Sequence, residues 1–133
     1  MKIAVSAVEP GLEAEMDQRF GRCRYFTIVD TDTLECESID NESSMSPGGA
    51  GTMAGQILSG KNVEAVLTGN CGPNAFNVLN TAGIEVYTGI FGKVKDAVER
   101  YKNGELQKNV QASVPDHFGS GGRRGRGRGM GMR

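Results

Sequence analysis

The fold of this chain is decided by residues 63–79, which read VEAVLTGNCGPNAFNVL. The apolar run 65–67 ends in polar residues, a loop with Cys71, Gly72 and Pro73 follows, and apolar residues then recur at helical spacing. Pro73 suits the first turn of a helix, because the N–H group that proline lacks would have no partner there. The segment therefore predicts a strand, a tight loop and a helix.

Cys71 lies just before that helix, which gives its sulfur an unusual predicted environment. Free backbone N–H groups and the positive end of the helix dipole favour anions at this position, and they favour a thiolate over a thiol. A thiolate on a rigid turn suits a thiophilic metal, whereas the alternative is that Cys71 packs as a small apolar residue. The candidate binding residues are Asn70, Gly72, Pro73 and Asn74, with Cys71 as the candidate metal ligand.

Strands and helices alternate along the chain. Alternation in the second half is typical of parallel strands joined by right-handed crossovers, and a predicted hairpin adds one antiparallel strand to a mixed α/β sheet. Ligands bind such sheets at the carboxyl ends of the strands, where the loops 9–22, 41–52 and 69–73 would meet. The predicted elements are strands at 2–8, 25–30, 35–39, 63–67 and 85–88 and helices around 53–58, 74–81 and 94–101.

A glycine-rich loop, residues 46–52, precedes the first predicted helix. Glycine lets the backbone approach a ligand closely and lets it direct N–H groups at an anion. The loop matches neither a Walker A motif nor a dinucleotide-binding glycine motif, and the alternative to anion or cluster binding is a flexible loop. The candidate binding residues here are Gly48, Gly49, Ala50 and Gly51.

The loop after the first strand carries Arg19, Phe20, Gly21 and Arg22, which are also candidate cofactor-binding residues. The two guanidinium groups offer planar sets of donors to an anionic ligand. The alternative for the arginines is an ordinary surface position, and Phe20 is predicted to anchor the loop in the core.

The remaining metal-ligating residue types give weaker signals. Cys23 begins a strand near the predicted site, Cys36 is expected to be structural, and the spacing of the cysteines suggests neither a zinc site nor a disulfide framework. His117 has no paired carboxylate or nucleophile, which argues against a catalytic triad. Free cysteines favour a reducing cytoplasm, and no apolar run approaches the roughly 20 residues of a membrane span.

The formal net charge of −1 conceals an asymmetry. Five of the 15 basic residues lie in residues 119–133, which leaves 10 basic against 16 acidic residues in the rest, a net charge of −6. Residues 113–133 are of low complexity, and we expect them to be disordered because they cannot bury enough apolar surface to offset ordering. Arg-Gly segments contact phosphate by charge and bind RNA, and they could also dock on an acidic surface.

With these residues in place, the chain resembles the dinitrogenase iron–molybdenum cofactor biosynthesis family over about residues 1–112. The resemblance implies a ribonuclease H-like fold, a five-stranded mixed sheet with helices on both faces. That family includes nitrogenase cofactor carriers, and its orange protein type carries a mixed molybdenum–copper sulfide cluster. The resemblance is carried by Met1–Val5, Arg19–Arg22 with Tyr25 and Phe26, Gly48–Gly51, and Gly72–Phe76 leading to Gly83 and Ile84.

Two departures from the family pattern affect the predicted ligands. Many members have a histidine where this chain has Arg19, and several end in a His-rich tail where this chain ends in Arg and Gly. The missing histidines shift the prediction to Cys71 and to electrostatic capture by Arg19, Arg22 and backbone N–H groups.

The sequence thus predicts a non-enzymatic carrier or scaffold for an anionic metal–sulfur cluster, or its precursor, that contains molybdenum, iron or copper. Its partner would be a cofactor-assembly or recipient protein. The alternative is an RNA- or partner-binding module that acts through the Arg/Gly tail. A nuclease is disfavoured, because two-metal chemistry needs several convergent carboxylates and the central strands offer only Glu9 and Glu64 near their ends.

Overall fold

A computed structural model describes residues 1–45 and 48–113 of the chain. The elements form a five-stranded sheet in the order β3-β2-β1-β4-β5 with three α-helices and one 3₁₀ turn, Glu42–Met45. The strands are β1 (Lys2–Ala7), β2 (Tyr25–Asp30), β3 (Cys36–Asp40), β4 (Ala65–Leu67) and β5 (Glu85–Tyr87), and the helices are α1 (Ala50–Ser59), α2 (Pro73–Thr81) and α3 (Val94–Lys102).

The apolar first strand lies in the middle of the sheet, as its sequence predicts. β1 pairs with β2 in antiparallel register, with Lys2 opposite Asp30 and Ala7 opposite Tyr25. On its other side β1 runs parallel to β4, which runs parallel to β5. Because β3 is antiparallel to β2, β2 is the single reversed strand, and the predicted mixed sheet with a hairpin is confirmed.

Helices cover both faces of the sheet. Ala54 and Leu58 of α1 and Phe76 and Leu79 of α2 join one buried cluster with the side chains of one sheet face. The opposite face packs on α3 through Val94, Ala97 and Val98. Burying two sheet faces under helices gives a three-layer α/β domain.

The sequence locates the elements well and their ends less well. Gly83 follows α2 with φ of 78°, and the N–H of Ile84 donates to the carbonyl of Leu79 at 2.9 Å, so the predicted glycine stop is confirmed. Helix α1 begins at Ala50, three residues before the first apolar position at helical spacing, and the preceding Gly49 has a left-handed backbone with φ of 72°.

Several sequence predictions fall outside the described residues. The tail prediction for 113–133 does so except at Ser113, as do His117 and the Ser46 and Pro47 part of the glycine-rich loop. Across residues 1–45 and 48–113, none of the helices is both long enough and apolar enough to cross a membrane.

Candidate anion and cluster site

Five strand ends meet at one edge of the sheet, which we call the carboxyl edge. Ala7 at the end of β1 lies opposite Tyr25 at the start of β2, and Tyr25 lies opposite Asp40 at the end of β3. On the other side of β1, β4 and β5 end together at Leu67 and Tyr87. The loops that carry the candidate residues therefore all start from this edge.

The loop after β1 pairs directly with the loop after β4. Arg19 and Asn70 form a parallel bridge, in which the Asn70 N–H donates to the Gln18 carbonyl at 2.8 Å and the Phe20 N–H donates to the Asn70 carbonyl at 3.2 Å. Gly69 permits this approach, because a Cβ there would lie 2.7 Å from the Cα of Gln18. The predicted meeting of these two loops is thus observed.

Glycines also bring the first turns of α1 and α2 together. A Cβ on Gly21 would lie 2.6 Å from the backbone nitrogen of Gly51, and a Cβ on Gly51 would lie 3.1 Å from the Cβ of Ala75. These glycines serve packing between backbones, whereas Gly48 and Gly49 are exposed and have open space where a Cβ would be. In the glycine-rich loop, Gly51 is therefore closely packed, whereas the backbone at Gly48 and Gly49 is open to approach.

Both helices begin without a side-chain cap. The residues that precede them are Gly49 and Gly72, and the first intrahelical bonds run from Met53 to Gly49 and from Phe76 to Gly72. Neither first turn contains an acidic residue. Backbone N–H groups of the first turns and the positive ends of two helix dipoles therefore face the same edge, which favours an anion there.

The second helix displays its candidate residues as the sequence predicts. Pro73 is the first helical residue, Asn74 is exposed in the same turn, and Asn70 is exposed on the preceding loop. Phe20 is 2% exposed, and its ring lies 5.3 Å from that of Phe26, so it anchors the arginine loop in the core.

Arg19 is held by a carboxylate that the sequence reasoning missed. Its side chain is 67% exposed, and its Nε and Nη2 atoms each lie 3.3 Å from an oxygen of the buried Asp17. The Asp17 carboxylate also accepts the Arg19 N–H at 2.9 Å. The hydrogen bonds that Arg19 donates to Asp17 raise the pKa of the Arg19 guanidinium. Part of the positive charge offered to a ligand is therefore already compensated.

Arg22 and Asn41 tie the arginine loop to its neighbours. The Arg22 Nη1 donates to the Ser44 carbonyl at 3.1 Å in the 3₁₀ turn. The buried Asn41 side chain donates to the carbonyls of Gly21 and Cys23 at 3.1 and 2.8 Å. A polar residue at the end of a strand was the only sequence signal for the role of Asn41.

Of the two interpretations of Cys71, the structure fits the second, in which the residue packs as a small apolar residue in the buried cluster. The residue is 1% exposed, its thiol donates to the Gly72 carbonyl at 3.8 Å, and burial raises the pKa of Cys71 to about 12. Its N–H donates to the Ser113 hydroxyl at 2.8 Å. Burial in the apolar cluster disfavours the charged thiolate, so Cys71 is a neutral thiol in this conformation.

The other two cysteines differ in burial. Burial raises the pKa of the Cys23 thiol to about 12, and Cys36 is exposed on the edge strand. Within the described part of the chain, no group of three or more His, Cys, Asp or Glu side chains is arranged to hold a metal ion. The assignment of Cys71 as a metal ligand stays a prediction.

Comparison with known proteins decides the family. The family model for dinitrogenase iron–molybdenum cofactor proteins matches residues 1–104. The chain belongs to this family. The resemblance inferred from the sequence is thereby confirmed.

Solved and curated relatives cover most of the chain. The apo orange protein of Desulfovibrio gigas is 38% identical with a TM-score of 0.82, over 84% of this chain and 95% of that one. A NifB-type protein of Thermotoga is 33% identical with a TM-score of 0.71, over 80% and 91%. An uncharacterized protein of Methanocaldococcus jannaschii is 30% identical over 81% of this chain and 91% of its own length.

Proposed function

We propose that this protein is a non-enzymatic carrier or scaffold for an anionic metal–sulfur cluster or its precursor. The observation that carries the proposal is the meeting of two uncapped helix N-termini, at Gly49 and Gly72, on the carboxyl edge. Membership of a family named for the iron–molybdenum cofactor, and similarity to the orange protein, support this class of cargo.

The cargo would be held mainly by electrostatics and hydrogen bonds. Backbone N–H groups of the first helical turns are fixed donors, so they bind an anion without first having to be ordered. Exposed Gly48 and Gly49 leave room for a ligand to approach the backbone. The exposed Arg19 guanidinium, Arg22 and the Asn70 and Asn74 side chains would complete the rim of the site.

In this proposal, Cys71 binds the cluster only if its buried sulfur becomes accessible. Sulfur suits molybdenum, iron or copper in a sulfide cluster, but a thiol that is 1% exposed cannot reach a ligand without movement of its surroundings. We therefore propose initial capture of the anion by the two helix N-termini and the arginine loop, with a Cys71 bond only in a state that uncovers the sulfur.

Three further features of the proposal concern the fold type, the compartment and the partner of the carrier. The strand order with a single reversed strand, β2, supports the ribonuclease H-like description. Three free thiols suit the reducing cytoplasm. Delivery of the cluster would require a cofactor-assembly or recipient protein.

A second candidate function rests on charge. Residues 119–133 contribute five arginines to a chain whose remainder is acidic, which favours binding of RNA or an acidic partner through the tail. Such binding would weaken steeply with salt and would disappear when residues 119–133 are removed. Cluster binding at the carboxyl edge would survive that truncation.

Anaerobic titration with tetrathiomolybdate, with and without Cu(I), tests the carrier proposal. The protein is desalted after mixing, and its visible absorption and metal content are measured. Charge-transfer bands that persist at a fixed metal ratio support the proposal. Loss of all colour on desalting, in the presence and absence of Cu(I), would count against a thiomolybdate cargo and would make RNA binding the next experiment.

A further inference from the structure

The segment that follows α3 is attached to the edge strand β5 through the backbone and the side chain of Asn109. The Asn109 N–H donates to the Val86 carbonyl of β5 at 2.7 Å. The Asn109 amide oxygen accepts the Thr88 N–H at 3.1 Å, and its amide nitrogen donates to the Thr88 hydroxyl at 2.9 Å. These bonds direct the chain from β5 towards the start of α2.

The segment ends on the backbone of Cys71. The Ser113 N–H donates to the Cys71 carbonyl at 2.9 Å, and the Ser113 hydroxyl accepts the Cys71 N–H at 2.8 Å. The same hydroxyl lies 3.3 Å from the Cys71 carbonyl oxygen. Both backbone polar groups of Cys71 are therefore occupied, and one of them is an N–H at the N-terminus of α2.

Only a small apolar contact supports these bonds. Ala112 packs against the buried cluster that contains Cys71, whereas Val110 is 85% exposed and Gln111 is exposed. A segment with few buried apolar contacts opens locally at much lower cost than the core it covers. The segment bonded to Cys71 is thus held mainly by hydrogen bonds, whereas the Cys71 residue itself is 1% exposed.

We propose that residues 109–113 form a releasable strap that keeps Cys71 covered, and that release of the strap exposes the Cys71 thiol and N–H at the N-terminus of α2. The strap thereby controls whether the site can add a sulfur ligand and one more N–H donor to the groups that capture an anion. The role of the strap in ligand binding rests on the proposed function, whereas the covering of Cys71 does not.

Pulse labelling with iodoacetamide, followed by peptide mass spectrometry, tests the strap without any cluster. The full chain supplies its own references, because Cys36 is exposed and Cys23 is buried in the core. In the wild type, Cys36 should label fast and both other cysteines slowly. Ser113→Ala and Asn109→Ala should each raise the labelling rate of Cys71 about tenfold and leave that of Cys23 unchanged.

Gln111→Ala is the matched control, since this exposed residue lies within the strap and its side chain is not needed for the bonds described. It should leave the Cys71 rate unchanged. Wild-type Cys71 labelling as fast as Cys36 would overturn the proposal, as would equal Cys71 rates in wild type and Asn109→Ala. In either variant, a rise in the Cys23 labelling rate to match that of Cys71 would show global unfolding and would also overturn the proposal.

The same variants separate the strap from the carrier function. Faster thiomolybdate uptake by Ser113→Ala and Asn109→Ala than by wild type supports the strap as a control on the site. If the labelling rates change as expected but no variant retains thiomolybdate, the strap stands as a cover of Cys71 and the proposed cargo is wrong.

Discussion

The carboxyl edge of the sheet can be compared with the opposite side, the amino edge, where β1, β4 and β5 begin. Opposite ends of the helices α1 and α2 lie at these two edges. At the carboxyl edge, α1 and α2 begin behind Gly49 and Gly72 and present N–H groups. At the amino edge the same helices end, so the negative ends of their dipoles lie there. Glu64 and Glu85 add carboxylates beside a cavity of about 430 Å³ at that edge.

Several charges at the amino edge lie near opposite charges. The N-terminal ammonium lies 3.5 Å from Asp32 and 3.9 Å from Asp30, and the Lys108 ammonium lies 3.9 Å from Glu85. A cavity lined by carboxylates and helix C-termini does not suit an anion, whatever its volume. The comparison teaches that the chemistry of the helix ends, and not the size of a cavity, is the basis for placing the proposed anionic ligand at the carboxyl edge.

The largest expected change in stability comes from adding one methyl group at the carboxyl edge. Gly21→Ala would place a Cβ 2.6 Å from the backbone nitrogen of Gly51, a contact that neither backbone can relieve easily. We expect a loss of about 2–3 kcal/mol in the free energy of unfolding, measured by chemical denaturation. At the amino edge, Gly60→Ala meets only an ordinary 3.7 Å contact and should change stability by less than about 1 kcal/mol.

Equal losses in the two variants would show that the carboxyl edge is not tightly packed. That result would remove the basis for placing the N-termini of α1 and α2 side by side.

Alkaline pH should destabilise the protein through the thiols beneath the carboxyl edge. Burial raises the pKa of Cys23 and of Cys71 from 9.0 to about 12, so the unfolded chain releases these protons first. The stabilising contribution is complete below pH 9.0 and declines as the pH rises towards 12, by about 1.4 kcal/mol per pH unit for each thiol.

Denaturation at several pH values above 9.0 measures this slope. Cys71→Ala should remove about half of the cysteine contribution, whereas Cys36→Ser, at an exposed position, should leave it unchanged. An unaltered slope in Cys71→Ala would mean that its thiol is accessible in the native protein.

A smaller effect should appear when Arg19 is released from Asp17. Asp17→Asn removes a negative charge beside the site, and the amide can still accept the Arg19 N–H. We expect anion affinity to rise about three- to tenfold, and Arg19→Ala to lower it by a similar factor. Equilibrium titration with tetrathiomolybdate at two salt concentrations measures both changes. Weaker binding by Asp17→Asn would show that Asp17 positions the loop more than it opposes the ligand.

Much of the secondary structure and sheet topology was predictable from the sequence, because it depends on local patterns. The β2–β3 hairpin, the central position of β1 and the stop at Gly83 each follow from residues close together in sequence. Helix and strand ends shifted by one to three residues, since caps and pairing partners decide them.

The sequence predicted which loops form the candidate site. It did not predict the burial of the Cys71 thiol or the ion pair between Arg19 and Asp17. The Cys71 N–H donates to the hydroxyl of Ser113, which lies 42 positions later in the chain, and no local pattern indicates that contact. The approach of Gly21 to Gly51 likewise joins two loops that are separate in sequence. Asp17 was missed because burial, and not residue type, makes its bond to Arg19 specific.

The most direct test of the account compares one substitution at the two ends of α2. Asn74→Asp places a negative charge in the first turn, where the dipole favours it and the fold should be kept. Asn80→Asp makes the same change in the last turn. Retention of tetrathiomolybdate after anaerobic desalting is measured for both variants and for the wild type.

We predict that Asn74→Asp weakens retention by about tenfold or more, since like charges repel at short distance, and that Asn80→Asp leaves it near the wild-type value. Unchanged retention in Asn74→Asp, or equal losses in the two variants, would contradict capture of the anion at the N-terminus of α2.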